Sequence, residues 1–306
     1  MNLVEVIAYM QEHPYTKDMG ARTVANRLHC DDSLVYEARK IIRVAERKRK
    51  DTGKIPRILL FDLETAPMRA YVWSRWKQNI TLEKTISESF IICWSAKWLY
   101  ENKVYSDTCT PEEMLNHDDK RICKSLWRLI DEANIVVAHN GKRADIPWMN
   151  SRFVVNGLLP TRPYQVVDTL EVARKNFGFS SNKLDALAGY FDIEHKIDTD
   201  FDLWRGCMDG NKDSLEYMTM YNQKDVKILE EVYLRLRPWI KGHQSLSVIM
   251  EQDVCPCCGS HAHEMVDGYY YTSVGKYRLY RCKNCGTVFR DRLGVKDYKP
   301  TKIALR

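Results

Sequence analysis

The 306-residue chain lacks any uncharged apolar run near the ~18 residues that span a bilayer, which excludes a helical membrane protein. It also lacks a secretory pattern. Met1-Asn2-Leu3-Val4-Glu5 has no basic stretch ahead of its apolar residues and carries an acid among them. A reducing cytoplasm, the host's if the source is viral, is therefore expected. No G-x-x-x-x-G-K-[ST] loop is present, which excludes a P-loop helicase or ATP motor. No repeat of about 20–50 residues and no low-complexity tract occurs. What is there is an ordinary globular mixture, 44% hydrophobic and 29% charged. At roughly 100–200 residues per domain, two or three domains are expected.

The net charge of +6 is unevenly distributed. Residues 1–57 carry +4, residues 242–306 carry +4, and residues 58–241 carry −2. Basic ends around a slightly acidic middle suit a polyanion held at the ends, although charge alone is equally compatible with unspecialised surface. Ten cysteines divide into two kinds. Cys30, Cys93, Cys109, Cys123 and Cys207 are scattered, as small buried apolar side chains are. Cys255, Cys257, Cys258, Cys282 and Cys285 crowd into 31 residues, which favours a metal site over a disulfide framework.

Three segments follow from the patterning. In residues 1–50, apolar periodicity predicts helices around Leu3–Met10, over Ala21–Leu28, and from Leu34 to Ala45 after an acidic turn at Asp31-Asp32. Residues 51–56 read as a linker. In residues 57–241, strands are predicted at Ile58–Phe61, Phe90–Trp94, Lys103–Tyr105, Ile135–Ala138 and Val166-Val167. Helices are predicted over 111–133, 145–156, 169–177, 182–191 and 212–237. That order implies an α/β fold, a mixed sheet covered by helices on both faces. Residues 250–292 read as a small β module of aromatic strands between cysteine pairs.

The middle segment concentrates acids. In Asp62-Leu63-Glu64 the period-2 alternation of extended chain puts both carboxylates on one face. Asp145 follows a buried strand in Asn140-Gly141-Lys142-Arg143-Ala144-Asp145, at the start of a helix. Tyr221 and Asp225 are four apart on one helical face. Alone, each has an ordinary reading: a solvated strand end, a helix cap, a core tyrosine.

Together, D-x-E, N-G-x-x-x-D and Y-x-x-x-D in this order resemble the DEDD (DnaQ-like) 3′–5′ exonucleases, in the Tyr variant (DEDDy) found in polymerase proofreading domains. The resemblance covers about residues 57–240. It includes Asp168-Thr169, Ser180-Ser181-Asn182-Lys183-Leu184 and the run Lys196 to Trp204. One departure is Ala144, where the family usually carries an aromatic residue. The resemblance implies an RNase H-like fold in which Asp62, Glu64, Asp145 and Asp225 hold two Mg²⁺ or Mn²⁺ ions about 4 Å apart. Tyr221 would position the attacking water and Asn140 the terminal nucleotide. The implied substrate is nucleic acid, DNA more than RNA. The chain shows no polymerase domain, so proofreading would need a replication or repair protein as partner.

Cys255-x-x-Cys258 and Cys282-x-x-Cys285 are separated by 23 residues and offer four thiolates to one structural Zn²⁺. This pattern resembles a zinc ribbon, with Cys257 left over. The N-terminal helices resemble a helix-turn-helix, in which Arg39, Lys40 and Arg43 would reach phosphates or base edges. A plain helical bundle is the other reading. Two functional alternatives also stand: a catalytically inactive nuclease fold serving as a DNA-binding or regulatory protein, and a transposase- or resolvase-type endonuclease. The second uses three acids and leaves Tyr221 unexplained.

Overall fold

Asn2 starts the first helix by accepting from the Glu5 N–H at 3.0 Å, while the Glu5 carboxylate accepts from the Asn2 N–H at 2.9 Å. The computed structural model describes residues 1–13, 16, 19–51, 56–273 and 275–295, without the side chains of 11, 12, 40 and 43–51. The chain divides into two units, Met1–Ile55 and Pro56–Arg306. Residues 250–292, read from sequence as a module of their own, lie in the second unit.

The first unit is all helical: α1 (Leu3–Glu12), α2 (Ala21–Leu28) and α3 (Asp32–Asp51). Its core is Val6, Met10, Val24, Ala25, Leu28, Val35, Ala38 and Ile42. α2 closes at His29 in the left-handed conformation.

The second unit opens with β1 (Ile58–Thr65), then β2 (Arg69–Ala70), β3 (Thr85–Ser87), β4 (Ile91–Trp98) and β5 (Val104–Thr108). There follow α4 (Pro111–Leu115), α5 (Lys120–Glu132), β6 (Ile135–Ala138), α6 (Asp145–Val155), β7 (Gln165–Asp168) and α7 (Thr169–Asn176). Next come α8 (Leu184–Tyr190), α9 (Phe201–Met208), α10 (Lys212–Leu236) and α11 (Leu246–Met250), then β8 (His263–Tyr271), β9 (Lys276–Cys282) and β10 (Val288–Arg290).

Five strands form a mixed sheet in the order β5-β4-β1-β6-β7. β1 runs antiparallel to β4 and parallel to β6. The central strands are covered on both faces, which is why β1 starts as a continuous apolar run. Leu59, Phe61 and Leu63 pack with Ile122, Leu126 and Ile130 of α5, and Leu60 packs on the other side with Leu187, Val226, Leu229 and Val232. Each such side chain contributes about 1.5–3 kcal/mol on burial. Among the described residues no helix is long and apolar enough to cross a membrane.

The structure corrects two sequence expectations. The single helix predicted over 111–133 is two helices, broken where His117 adopts φ +55°. The break lets Asp119, fully buried, accept from the Ile91 N–H at 2.9 Å, from Arg152 Nε and Nη2 at 2.7 and 2.8 Å, and from Asn156 Nδ2 at 2.8 Å. A carboxylate that seals strand, helix and turn outweighs the helix propensity of the segment. The first strand is also longer than the four residues predicted: Asp62 and Glu64 lie within β1, opposite Ser95 and Cys93 of β4.

α10 lies against the sheet through a polar seam. Gln223 Nε2 donates to Ser106 Oγ at 2.7 Å, Thr219 and Thr108 hydroxyls meet at 2.6 Å, and Lys97 pairs with Glu230. Beyond α10, Arg237 is buried. It donates to the Cys257 carbonyl and to Tyr100 Oη at 3.1 Å, and lies over the Tyr233 ring. This joins the three-stranded sheet β10-β9-β8 to the core.

Candidate active site and cysteine cluster

β1 and α10 bring three carboxylates together. Oxygens of Asp62, Glu64 and Asp225 all lie within 4.8 Å of one another. Alternation along β1 turns Asp62 and Glu64 to the face that α10 covers, and Asp225 meets them there. Asp145 is placed differently. It begins α6, is buried, and its Oδ1 accepts from the Leu63 N–H at 3.4 Å. It stands outside the three-acid cluster but close enough for its charge to raise the Asp62 pKa.

Like charges at such separations repel by about 4 kcal/mol per pair in a partly buried setting. The acids respond accordingly. Burial first, then the charges of Asp145, Glu64 and Asp225, push Asp62 well above the usual carboxylate range. Burial, with the Asp225 charge, pushes Glu64 up to about 8. Burial raises Asp145 to about 6. The cluster is short of positive charge.

Two residues to which the sequence reading gave no role partly relieve it. Lys196, in the loop after α8, pairs with Asp225, and its Nζ is 3.5 Å from Tyr221 Oη. Burial opposes the Lys196 charge, but the Asp225 carboxylate holds its pKa above the usual lysine range. Asn222 Nδ2 donates to Asp62 Oδ2 at 2.7 Å. Its position three residues before Asp225 was the available signal. Even so, Asp225 Oδ1 is buried without a hydrogen-bond partner. Hard oxygen donors, an orphaned carboxylate oxygen and one ammonium among these acids fit Mg²⁺ or Mn²⁺.

Tyr221 lies edge-on to Trp204, ring centroids 6.4 Å apart. Burial, then the Asp225 charge, pushes its phenol up to about 12, so it keeps its proton at neutral pH. Asn140 has φ +67°, and its N–H donates to Asp168 Oδ1 at 3.0 Å. Asp168 also accepts from the Lys142 N–H at 3.1 Å and the Leu170 N–H at 3.0 Å, so one buried carboxylate holds the turn before α6 and caps α7. Gly141 is required in that turn, because a Cβ there would stand 2.3 Å from Ala138 Cβ. Asn140 borders a cavity of about 290 Å³ lined also by Arg143, Asp168, Arg174 and Lys175.

Cys255, Cys258, Cys282 and Cys285 converge, with sulfurs 3.7 Å apart for Cys255 and Cys285 and 3.6 Å for Cys258 and Cys282. A tetrahedron of ~2.3 Å Zn–S bonds has edges of about 3.8 Å, whereas a disulfide needs about 2.05 Å. Gly259 and Gly286, at φ +71° and +77°, close the two C-x-x-C turns. Cys257 borders the cluster beside Cys285 without being one of the four converging sulfurs, and its thiol donates to the Arg237 carbonyl at 3.5 Å. His261 and His263 are not among the converging ligands.

In the first unit, Arg39 Nη2 donates to the carbonyls of Thr16 and Met19 at 2.9 and 2.5 Å. It braces the segment before α2 rather than standing free on the helix surface. The side chains of Lys40 and Arg43 lie outside the described residues.

Residues 82–237, half of the chain, match the family RNase_H_2 of the RNase_H superfamily, and the chain belongs to that superfamily. The fold is similar to the family B DNA polymerase from the hyperthermophilic archaeon Pyrobaculum calidifontis, at 13% identity and TM-score 0.45, over 74% of this chain. The chain spans 33% of that polymerase's length. No curated protein sequence matches.

Proposed function

We propose that the protein is a metal-dependent 3′–5′ exonuclease acting on single-stranded nucleic acid or 3′ ends, DNA in preference to RNA. The observation that carries this reading is the convergence of Asp62, Glu64 and Asp225 beside Tyr221, with Asp225 Oδ1 buried and unpartnered. Asp62, Glu64 and Asp225 would hold the divalent ions, with Asp145 at the edge of the set. When bound, the ions supply Lewis acidity for water activation and for the leaving oxygen. The chain's own residues position the reactants. Tyr221 orients a water through a phenol that stays protonated. Asn222 holds Asp62 in register. Lys196 offers a positive charge to an incoming phosphate. Asn140 borders the path of the terminal nucleotide.

Cys255, Cys258, Cys282 and Cys285 hold one structural Zn²⁺ in a zinc ribbon. The three N-terminal helices act as a helix-turn-helix whose nucleic-acid contacts come from Lys40 and Arg43. A proofreading or repair assembly would supply the partner chain.

The test is a time course on 3′-labelled, 5′-labelled and circular DNA and RNA with Mg²⁺, Mn²⁺ or EDTA. Release of nucleotides from 3′ ends, circles left intact and no cleavage in EDTA are expected. Internal nicks would favour the endonuclease alternative, and intact substrates in both metals would favour the inactive one.

A further inference from the structure

The chain leaves β1 at Thr65 and makes an excursion before returning at β4. Its base is pinned: the Ala66 N–H donates to the Phe90 carbonyl at 2.8 Å, β2 pairs with β3, and Arg69 bridges to Asp209 at 3.1 Å. Its outer part is built differently from the rest of the molecule. Trp73 is 93% exposed, Trp76 82% and Tyr71 73%. Two indoles left in water are an unfavourable arrangement unless something covers them.

The loop that carries them is internally ordered. Gln78 Nε2 and Ser74 Oγ both donate to the Trp76 carbonyl, at 2.8 and 3.1 Å, and the Tyr71 N–H donates to the Lys84 carbonyl at 2.9 Å. Rings are thus presented outward by a shaped loop. Residues 69–84 carry four basic side chains and one acid. Arg75 lies between the two tryptophans and Lys77 follows them. Among the described residues neither forms an ion pair.

We propose that this arm is a stacking platform for single-stranded nucleic acid. Trp73 and Trp76 receive unpaired bases, and Arg75 and Lys77 hold the phosphates between them. Aromatic faces with unpaired cations match such a strand in both chemistries, since every base has a π-face and every linkage a charge. A protein partner or a second copy would be served by the rings but gives no reason for uncompensated cations. Trp73 is nine residues beyond Glu64, within about 30 Å of extended chain, so a strand held here lies within reach of the carboxylate cluster. The choice of ligand rests on the nuclease reading.

The experiment is fluorescence anisotropy on the full-length, zinc-loaded protein in Ca²⁺, with labelled dT20 protected by terminal phosphorothioates. An abasic 20-mer and a blunt 20-bp duplex are the comparison ligands. W73A/W76A is expected to weaken dT20 binding tenfold or more, and W73Y/W76Y to stay within about threefold of the wild type. The wild type should bind the abasic strand and the duplex at least tenfold more weakly than dT20. R75A/K77A leaves both rings in place and should reduce the slope of log K against log salt by about 1.4. Unchanged dT20 binding by W73A/W76A at unchanged melting temperature overturns the platform. So does a wild-type dimer in sedimentation that W73A/W76A converts to monomer, because the face is then a self-association surface. The two readings fail separately. Binding through the rings with no hydrolysis leaves the platform and removes the exonuclease, whereas 3′ laddering with binding indifferent to the rings does the reverse.

Discussion

Asn222 on α10 and Asp62 on β1 are 160 residues apart in sequence and joined by a 2.7 Å hydrogen bond from Nδ2 to Oδ2. The amide neutralises no charge, yet it fixes which way one carboxylate of the cluster points. Asn222→Ala is expected to lower hydrolysis 10–100-fold with unchanged circular dichroism, the usual effect of losing a group that orients a ligand. Activity within twofold of wild type would remove the orienting role.

Asp225→Ala should abolish hydrolysis, because it removes the α10 carboxylate from the three-acid cluster. Tyr221→Phe should reduce turnover while leaving Mn²⁺ binding by calorimetry intact, since only the phenol oxygen is lost. A fully active Asp225→Ala protein would refute the site.

Glu64 yields a pH prediction. Burial holds its pKa in the folded protein at about 8, above the usual 4.5 of a glutamate. The folded state therefore binds the proton more tightly than the unfolded one, and stability falls as pH rises from about 4.5 to about 8. Urea melts of zinc-loaded, Mg²⁺-free protein should show this decline, and Glu64→Gln should flatten it. Saturating Mg²⁺ should oppose it by stabilising the ionised form. A Glu64→Gln profile with the wild-type slope would assign the decline elsewhere.

Arg152→Ala should destabilise the protein by about 3–5 kcal/mol, because Asp119 is fully buried and loses a two-pronged partner. Asp119→Asn/Arg152→Met should recover part of that loss, since neither charge is then stranded. Chemical denaturation measures both.

One zinc per chain is expected by metal release and colorimetric titration. Cys258→Ser should lose it and Cys257→Ser should retain it, because Cys257 Sγ donates to the Arg237 carbonyl and is not one of the four mutually converging sulfurs, although it borders Cys285. Retention by Cys258→Ser together with loss by Cys257→Ser would reverse the ligand assignment.

Much of this site was legible in sequence because its parts obey local periodicities. Alternation placed Asp62 and Glu64 together, helical spacing placed Tyr221 with Asp225, and paired C-x-x-C units placed four sulfurs. What escaped depends on contacts between distant elements. Lys196 opens a run that carries the family resemblance, but its role is set only where the loop after α8 carries it to Asp225. Asn222 is one polar residue among many on α10. The break near His117 is set by a buried network around Asp119, which no window of the segment contains. The β2–β3 excursion was missed because its aromatic residues face outward and follow no core periodicity.

Arg237 gives the cysteine cluster a mechanical meaning. It grips the Cys257 carbonyl at one end of α10, about 24 Å along the helix from Tyr221. The same rod therefore ends in a sulfur-bound joint and carries three side chains of the acidic site. Oxidation or chelation of those thiols would loosen the rod's anchorage, so that the redox state of the cysteine cluster bears on the helix that positions Tyr221, Asn222 and Asp225.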